Sequence, residues 1–204
     1  MQKKLFVTGI GTGVGKTICS AILVQYFQAD YWKPIQSGDL HDTDSMKVKK
    51  LTDTSIHCHE ESFRLKLAAS PHQSAAEEGI SIRVHDIHSP KTTRPLIVEG
   101  AGGLMVPLSP NELMIDLMVK LQFPVVLVVK NYLGCINHTL LSMTALKNKG
   151  LNLEYVVFNG SFPVATEKII RHHTEKGTKI INIPHMESKT KEKIKIVTND
   201  LKYL

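Results

Sequence analysis

The segment Gly9-Ile10-Gly11-Thr12-Gly13-Val14-Gly15-Lys16-Thr17 carries the clearest chemistry in the chain. Small residues leave consecutive backbone N–H groups free to point at phosphate oxygens, and a helix starting there adds a positive partial charge. Lys16 can then reach the β- and γ-phosphates, while the Thr17 hydroxyl can ligate Mg²⁺. Gly13, Val14, Gly15, Lys16, Thr17 and Ile18 are therefore the expected cradle of a nucleoside triphosphate. The usual spacing G-x-x-x-x-G-K-[ST] would place glycine at Ile10, so this loop has one extra residue after Gly9. A dinucleotide loop is excluded, because its third glycine would fall on Val14.

Such a site needs acids near the metal and cations near the developing negative charge. The run Pro95-Leu96-Ile97-Val98-Glu99 ends an apolar strand in an acid, and Gly100, Ala101 and Gly102 follow it closely enough to let backbone approach a ligand. An acid there suits magnesium, held directly or through water. A second run, Lys33-Pro34-Ile35-Gln36-Ser37-Gly38, puts Lys33 at a strand end where an anion could develop, and Asp42 and Asp44 follow.

These residues act together only if strands and helices bring their ends to one place. Apolar runs bounded by Gly, Pro or Asn recur at 3–8, 31–35, 95–99, 124–130, 153–159 and 179–183, and each reads as a buried strand. Helix-period segments at 17–28, 136–147 and 164–176 lie between several of them. This alternation predicts a single-domain α/β fold over 1–204, with a mostly parallel sheet flanked by helices, of the phosphate-loop NTPase type. The irregular stretch 38–95 is expected to carry site loops and short helices rather than a separate domain.

With 204 residues and 42% hydrophobic content, the chain can bury one substantial core. Its formal charge is +6, but residues 165–204 hold 9 basic and 5 acidic side chains, so most of the excess lies outside the motifs. Arginine occurs only at Arg64, Arg83, Arg94 and Arg171, so no nucleic-acid partner is expected. No run approaches the roughly 20 apolar residues of a membrane helix. The short run 5–9 leaves no room for a signal-peptide core, and Cys19, Cys58 and Cys135 lack CxxC spacing. A cytoplasmic chain with reduced thiols is expected.

The segments Thr8 to Thr17, Lys33 to Gly38, Ser70-Pro71-His72, Glu99 to Gly103 and Leu133-Gly134-Cys135-Ile136-Asn137-His138 occur in this order over about residues 5–160. As a set they resemble the dethiobiotin synthetase family. The resemblance implies a cytosolic homodimer that closes a cyclic urea on 7,8-diaminononanoate with CO₂, ATP and Mg²⁺, through a carbamate and a carbamic-phosphoric anhydride, in the penultimate step of biotin biosynthesis. It implies catalytic roles for Lys16, Lys33 and Thr12, with Ser37 a further hydroxyl for the substrate. Thr17, Asp44 and Glu99 would hold magnesium, and Asp42, two residues from Asp44, keeps that assignment open. Gly134, Cys135, Ile136 and Asn137 would reach the substrate of the neighbouring subunit, near the interface. Asn159-Gly160 and Pro184-His185-Met186 would face the nucleobase. Gly13 stands where the family often carries an acid, and the residues beyond Glu187 do not align. The chemistry agrees with the resemblance, since every intermediate is more anionic than the diamine and calls for cations and backbone donors rather than a nucleophile. On physical grounds alone, residues 134–137 form either a helix-start anion site for a carboxylate or a plain cap by Asn137.

Other features have blander readings. His57-Cys58-His59-Glu60 lacks a spaced partner that would close a metal site, so a solvated loop is expected. His172 and His173 read as exposed helix residues, and no base accompanies Cys135. The lysine-rich 189–195 reads as the polar face of a terminal helix with Ile194, Val197 and Leu201 inward. A partitioning or iron-protein-type ATPase acting on a protein partner would share the loop and sheet, yet would carry a second lysine early in the loop, where this chain has Ile10, Gly11 and Thr12.

Overall fold

A computed structural model describes residues 2–53 and 55–201. Strand β1 (Lys4–Gly9) is buried from Leu5 onward, so its alternating side chains need cover on both faces. Leu5 and Val7 enter one core with Tyr31 and Ile97, whereas Phe6 enters the other with Trp32, Leu96 and Val98. That period of two across neighbouring strands marks a sheet packed on both sides.

The remaining strands are β2 (Asp30–Trp32), β3 (Ile35–Ser37), β4 (Cys58–His59), β5 (Phe63–Leu65), β6 (Leu96–Gly103), β7 (Val125–Lys130), β8 (Leu153–Asn159) and β9 (Lys179–Ile183). The main sheet has the order β4-β2-β6-β1-β7-β8-β9, with every described strand pair parallel, and β3 and β5 form a separate two-stranded sheet. The helices are α1 (Lys16–Phe27), α2 (Asp44–Leu51), α3 (Pro71–Glu77), α4 (Met114–Leu121), α5 (Cys135–Asn148), α6 (Val164–His173) and α7 (Lys191–Asp200). Residues of α1, α2, α6 and α7 cover one face, and those of α3 and α4 the other.

The single strand expected at 31–35 is two strands. Pro34 lacks an N–H and fixes its own φ, so it cannot continue a central ladder. Its carbonyl instead accepts from Phe63 N at 3.0 Å, and the chain passes to the smaller sheet. The strand expected to end at Glu99 runs on to Gly103, and the helix expected to reach residue 176 stops at His173, with the Thr174 hydroxyl donating to Ile170 O at 2.9 Å. The segment expected as a solvated loop contributes Cys58 and His59 as a half-buried edge strand. Helix α4 and the strands β4 and β5 were not anticipated. Ile194 and Val197 of α7 are buried as expected, and Leu201, just past the helix, packs against the same core. Among the described residues, no helix is long and apolar enough to cross a membrane.

Candidate active site

Strand alternation places the site. Tyr31 and Lys33 are two residues apart, as are Ile97 and Glu99, and Tyr31 pairs with Ile97. Continuing this register sets Lys33 opposite Glu99, on the face covered by α1. The phosphate loop turns into α1 at Gly15, whose φ of 97° is a left-handed conformation that strains other residues. A Cβ there would also lie 2.0 Å from Asn159 Nδ2. The loop thus brings Lys16 and Thr17 over Glu99.

A compact polar cluster results. Thr17 Oγ1 lies 2.9 Å from Asp44 Oδ1 and 3.0 Å from Glu99 Oε1, and its one proton can serve only one of them at a time. Lys33 Nζ lies 2.5 Å from Asp44 Oδ2 and 3.3 Å from Glu99 Oε1. The other oxygen of Glu99 accepts from Tyr31 Oη at 2.9 Å. Tyr31, Lys33, Lys16 and Glu99 are all buried. Burial would lower the Lys33 pKa, but the charges of Glu99 and Asp44 outweigh it and hold the ammonium above its ordinary range. Burial would raise Asp44, and Lys33 and Thr17 overcome this to hold its carboxylate below the usual range. Lys16 is different: burial dominates, opposed by Glu99 and reinforced by Lys33, and lowers it to about 8. Its Nζ donates back to Gly11 O at 3.0 Å.

Local structure explains why Asp44 meets Thr17. Thr43 caps α2 by accepting from Met46 N, and Gln36 Oε1 accepts from Asp44 N at 3.3 Å while Gln36 Nε2 donates to Gly38 O at 2.9 Å. Asp42 is exposed, its carboxylate 3.5 Å from Lys47, and it makes no hydrogen bond or ion pair to Thr17, Lys33 or Glu99 among the described residues. The Thr17, Asp44 and Glu99 oxygens converge from three elements, and a hydroxyl with two carboxylates is the hard-oxygen set that Mg²⁺ takes. The donor set therefore fits magnesium.

A cleft of ≈ 690 Å³ opens over the cluster, lined by Thr12, Gly13, Gly15 to Ile18, Lys33, Ser37, Asp44, Glu99, Ala101 and Gly102 among others. The Ser37 hydroxyl is buried with no hydrogen-bond partner among the described residues, as a ligand-directed group would be. A smaller pocket of ≈ 300 Å³ joins Asn159, Gly160, His185 and Met186 with Lys130, Asn131 and Ser161. Asn159 Nδ2 donates to Val14 O at 2.8 Å, which leaves its second amide hydrogen and its carbonyl oxygen for a base. Gly134 to Asn137 line neither space. They border a third pocket of ≈ 590 Å³ with fully exposed Leu133, because α5 follows β7, on the far side of β1 from Lys33 and Glu99. Sequence reasoning missed Tyr31, whose signal was its position two residues before Lys33, and missed Lys130 and Asn131, the end of β7 beside β8. His57 and His59 stack edge to face at 4.5 Å, and no metal-binding group of three acids, histidines or cysteines exists among the described residues.

Comparison with known proteins adds the family. Residues 3–193 match the model of an AAA domain. The ATP-dependent dethiobiotin synthetase BioD of Christiangramia forsetii is 46% identical over 172 residues, 84% of this chain and 83% of that protein. The ATP-dependent dethiobiotin synthetase BioD of Cytophaga hutchinsonii is 43% identical over 194 residues, 94% of this chain and 93% of that protein. Among solved structures, a ParA family ATPase from Chlorobium tepidum superposes with a TM-score of 0.54, covering 98% of this chain and 91% of that one at 14% identity, a likeness of fold alone.

Proposed function

The chain belongs to the dethiobiotin synthetase family and is an ATP-dependent cyclo-ligase of biotin biosynthesis; on that premise we propose how its own residues close the ring. The observation that carries the proposal is the convergence of Lys16, Lys33, Thr17, Asp44 and Glu99 beneath one cleft. One amine of 7,8-diaminononanoate adds to CO₂ and loses a proton, giving a carbamate held by Lys33 and by the unpartnered Ser37 hydroxyl. The γ-phosphoryl group of ATP then passes to a carbamate oxygen. Lys16 moves from Gly11 O to the phosphates, and Thr12, beside Gly102, donates to the oxygens in transit. The second amine attacks the carbamoyl carbon, the C–O bond to phosphate breaks, and the amine's proton leaves with the phosphate, closing the cyclic urea. Positive charge at Lys16 and Lys33 matches the negative charge that grows through these steps.

Thr17, Asp44 and Glu99 would hold Mg²⁺, which when bound neutralises phosphate oxygens and orients the transferring group. Tyr31 fixes the carboxylate plane of Glu99 and so acts as a positioning residue. Asn159 with Gly160, and the Pro184 to Met186 loop, receive the base. The single domain works as a cytoplasmic homodimer in which residues 134–137 of one copy reach the carboxylate of the substrate on the other. The separation of that segment from Lys33 within one chain, and the exposure of Leu133 beside it, support this arrangement.

Phosphate release from ATP, followed with and without diaminononanoate and bicarbonate, tests the proposal. Release should require both. Full-rate hydrolysis without them would favour an ATPase serving another partner.

A further inference from the structure

The loop between β9 and α7 touches two of the spaces described above. His185 and Met186 line the base pocket, and Lys189, three residues on, lines the phosphate cleft together with Thr17 and Ile18. The loop is therefore a strap that runs from the base end of the nucleotide site to its phosphate end. Both strap ends are anchored. At one, Gly160 N donates to Ile183 O at 2.8 Å. At the other, Thr190 caps α7 by accepting from Lys193 N, and Lys191 pairs at 3.1 Å with Asp53, which Gln25 of α1 holds at 2.6 Å. The strap is thereby tied to the same helix that carries the phosphate loop.

The charge on the strap is directed. Glu187, its acid, lines neither pocket. Lys189 is exposed, and among the described residues no hydrogen bond or ion pair occupies its ammonium. It lines the same cleft as Thr17 and Ile18 at the start of α1, and the inner phosphates of a nucleotide enter that cleft when the γ-phosphate meets Lys16 and Lys33 and the base meets Asn159.

We propose that Lys189 is a phosphate-binding residue, contributed by the strap, that grips the inner phosphates of the bound nucleotide and adds affinity without taking part in phosphoryl transfer. The proposal rests on the nucleotide site assigned above. It gives the lysine-rich segment a division of labour, in which Lys189 faces the ligand, Lys191 ties the strap to Asp53, and Lys193 and Lys195 face solvent.

The test uses the full chain and three probes: ADP with Mg²⁺, adenosine, and steady-state turnover with ATP. Lys189→Ala should weaken ADP binding and raise KM for ATP by about tenfold, the scale of a partly exposed charge-assisted hydrogen bond. kcat and adenosine binding should stay within about twofold. Lys189→Arg should restore most of the affinity, and Lys193→Ala, one turn into α7, should behave as the unsubstituted chain. ADP affinity unchanged in Lys189→Ala would overturn the proposal, and so would equal losses for ADP and adenosine, which would mean a disturbed strap rather than a lost charge. Failure of the unsubstituted chain to bind ADP or turn over ATP would instead overturn the nucleotide site itself.

Discussion

Two buried carboxylates sit at opposite ends of the same sheet. Glu99, at the carboxyl end, has the Thr17 hydroxyl at 3.0 Å, the Tyr31 hydroxyl at 2.9 Å and Lys33 at 3.3 Å. Asp30, at the amino end of β2, accepts from Thr92 Oγ1 at 2.5 Å and has His59 at 3.4 Å and Arg94 at 3.5 Å. The inventories are nearly alike: a carboxylate, a hydroxyl, a nitrogen cation and a further ring group. The difference is what the partners have left to give. Arg94 spends its guanidinium on Ser55 O at 2.6 Å and Gln28 O at 2.7 and 3.2 Å, tying β2 to the loops around it. At Glu99 the partners are a lysine with rotatable donors and a hydroxyl caught between two acids, under a cleft large enough for a ligand. Asp30 also borders a pocket of ≈ 510 Å³ with His57, His59 and Lys91, so what separates the two carboxylates is that the partners of Glu99 keep donors to give whereas Arg94 is spent on backbone carbonyls.

Substitutions at the two ends should separate these roles. Lys33→Ala should lower kcat by about 10²–10³-fold or more, on the scale of a lost transition-state donor, with ADP affinity within about threefold. Single-turnover kinetics beside an ADP titration checks this, and retained activity would reduce Lys33 to a structural ion pair. Arg94→Ala should lose about 1 kcal/mol of stability by denaturant unfolding, because the exposed Gln28 and Ser55 carbonyls lose a donor and buried Asp30 loses an ion-pair partner, while kcat of the folded enzyme stays within about twofold. A large kcat effect there would erase the distinction.

The smallest effect concerns pH. Lys16 gives up its proton near 8 in the free enzyme, against an ordinary 10.5, because burial outweighs its partners. Between those values the unfolded chain binds more protons, so this group makes stability rise with pH across that window. A triphosphate would favour the charged form, so ATP binding should be proton-neutral well below pH 8 and take up part of a proton above it, with KM rising. Calorimetry in two buffers of different ionisation enthalpy reads this directly.

Much of this was legible in the residues. The glycine loop, the helix after it and the strands at 153–159 and 179–183 were marked by local punctuation and period, and observed β8 and β9 have those bounds. The split at Lys33–Pro34 was not, since the apolar run on both sides reads as one strand and only the missing N–H of Pro34 betrays the change of sheet. Tyr31 was hidden for a related reason: a buried aromatic in a strand looks like core until its hydroxyl is seen on Glu99. Residues 134–137 formed the expected helix start, but their distance from the cleft depends on strand order, which no short motif encodes.

The change of sheet at Pro34 also sets how the molecule comes apart. Among the described residues, strands β3 and β5 pair in a sheet only with each other, and a two-stranded ribbon has little cohesion of its own. Ile35 and Leu65 keep it in place by docking in the core beside Trp32. Ser37, Gln36 and the turn toward Asp44 thus belong to a unit that can open at lower free energy than the seven-stranded sheet carrying the nucleotide loop. The ribbon that carries Ser37 is thus expected to open before the sheet that carries the nucleotide loop.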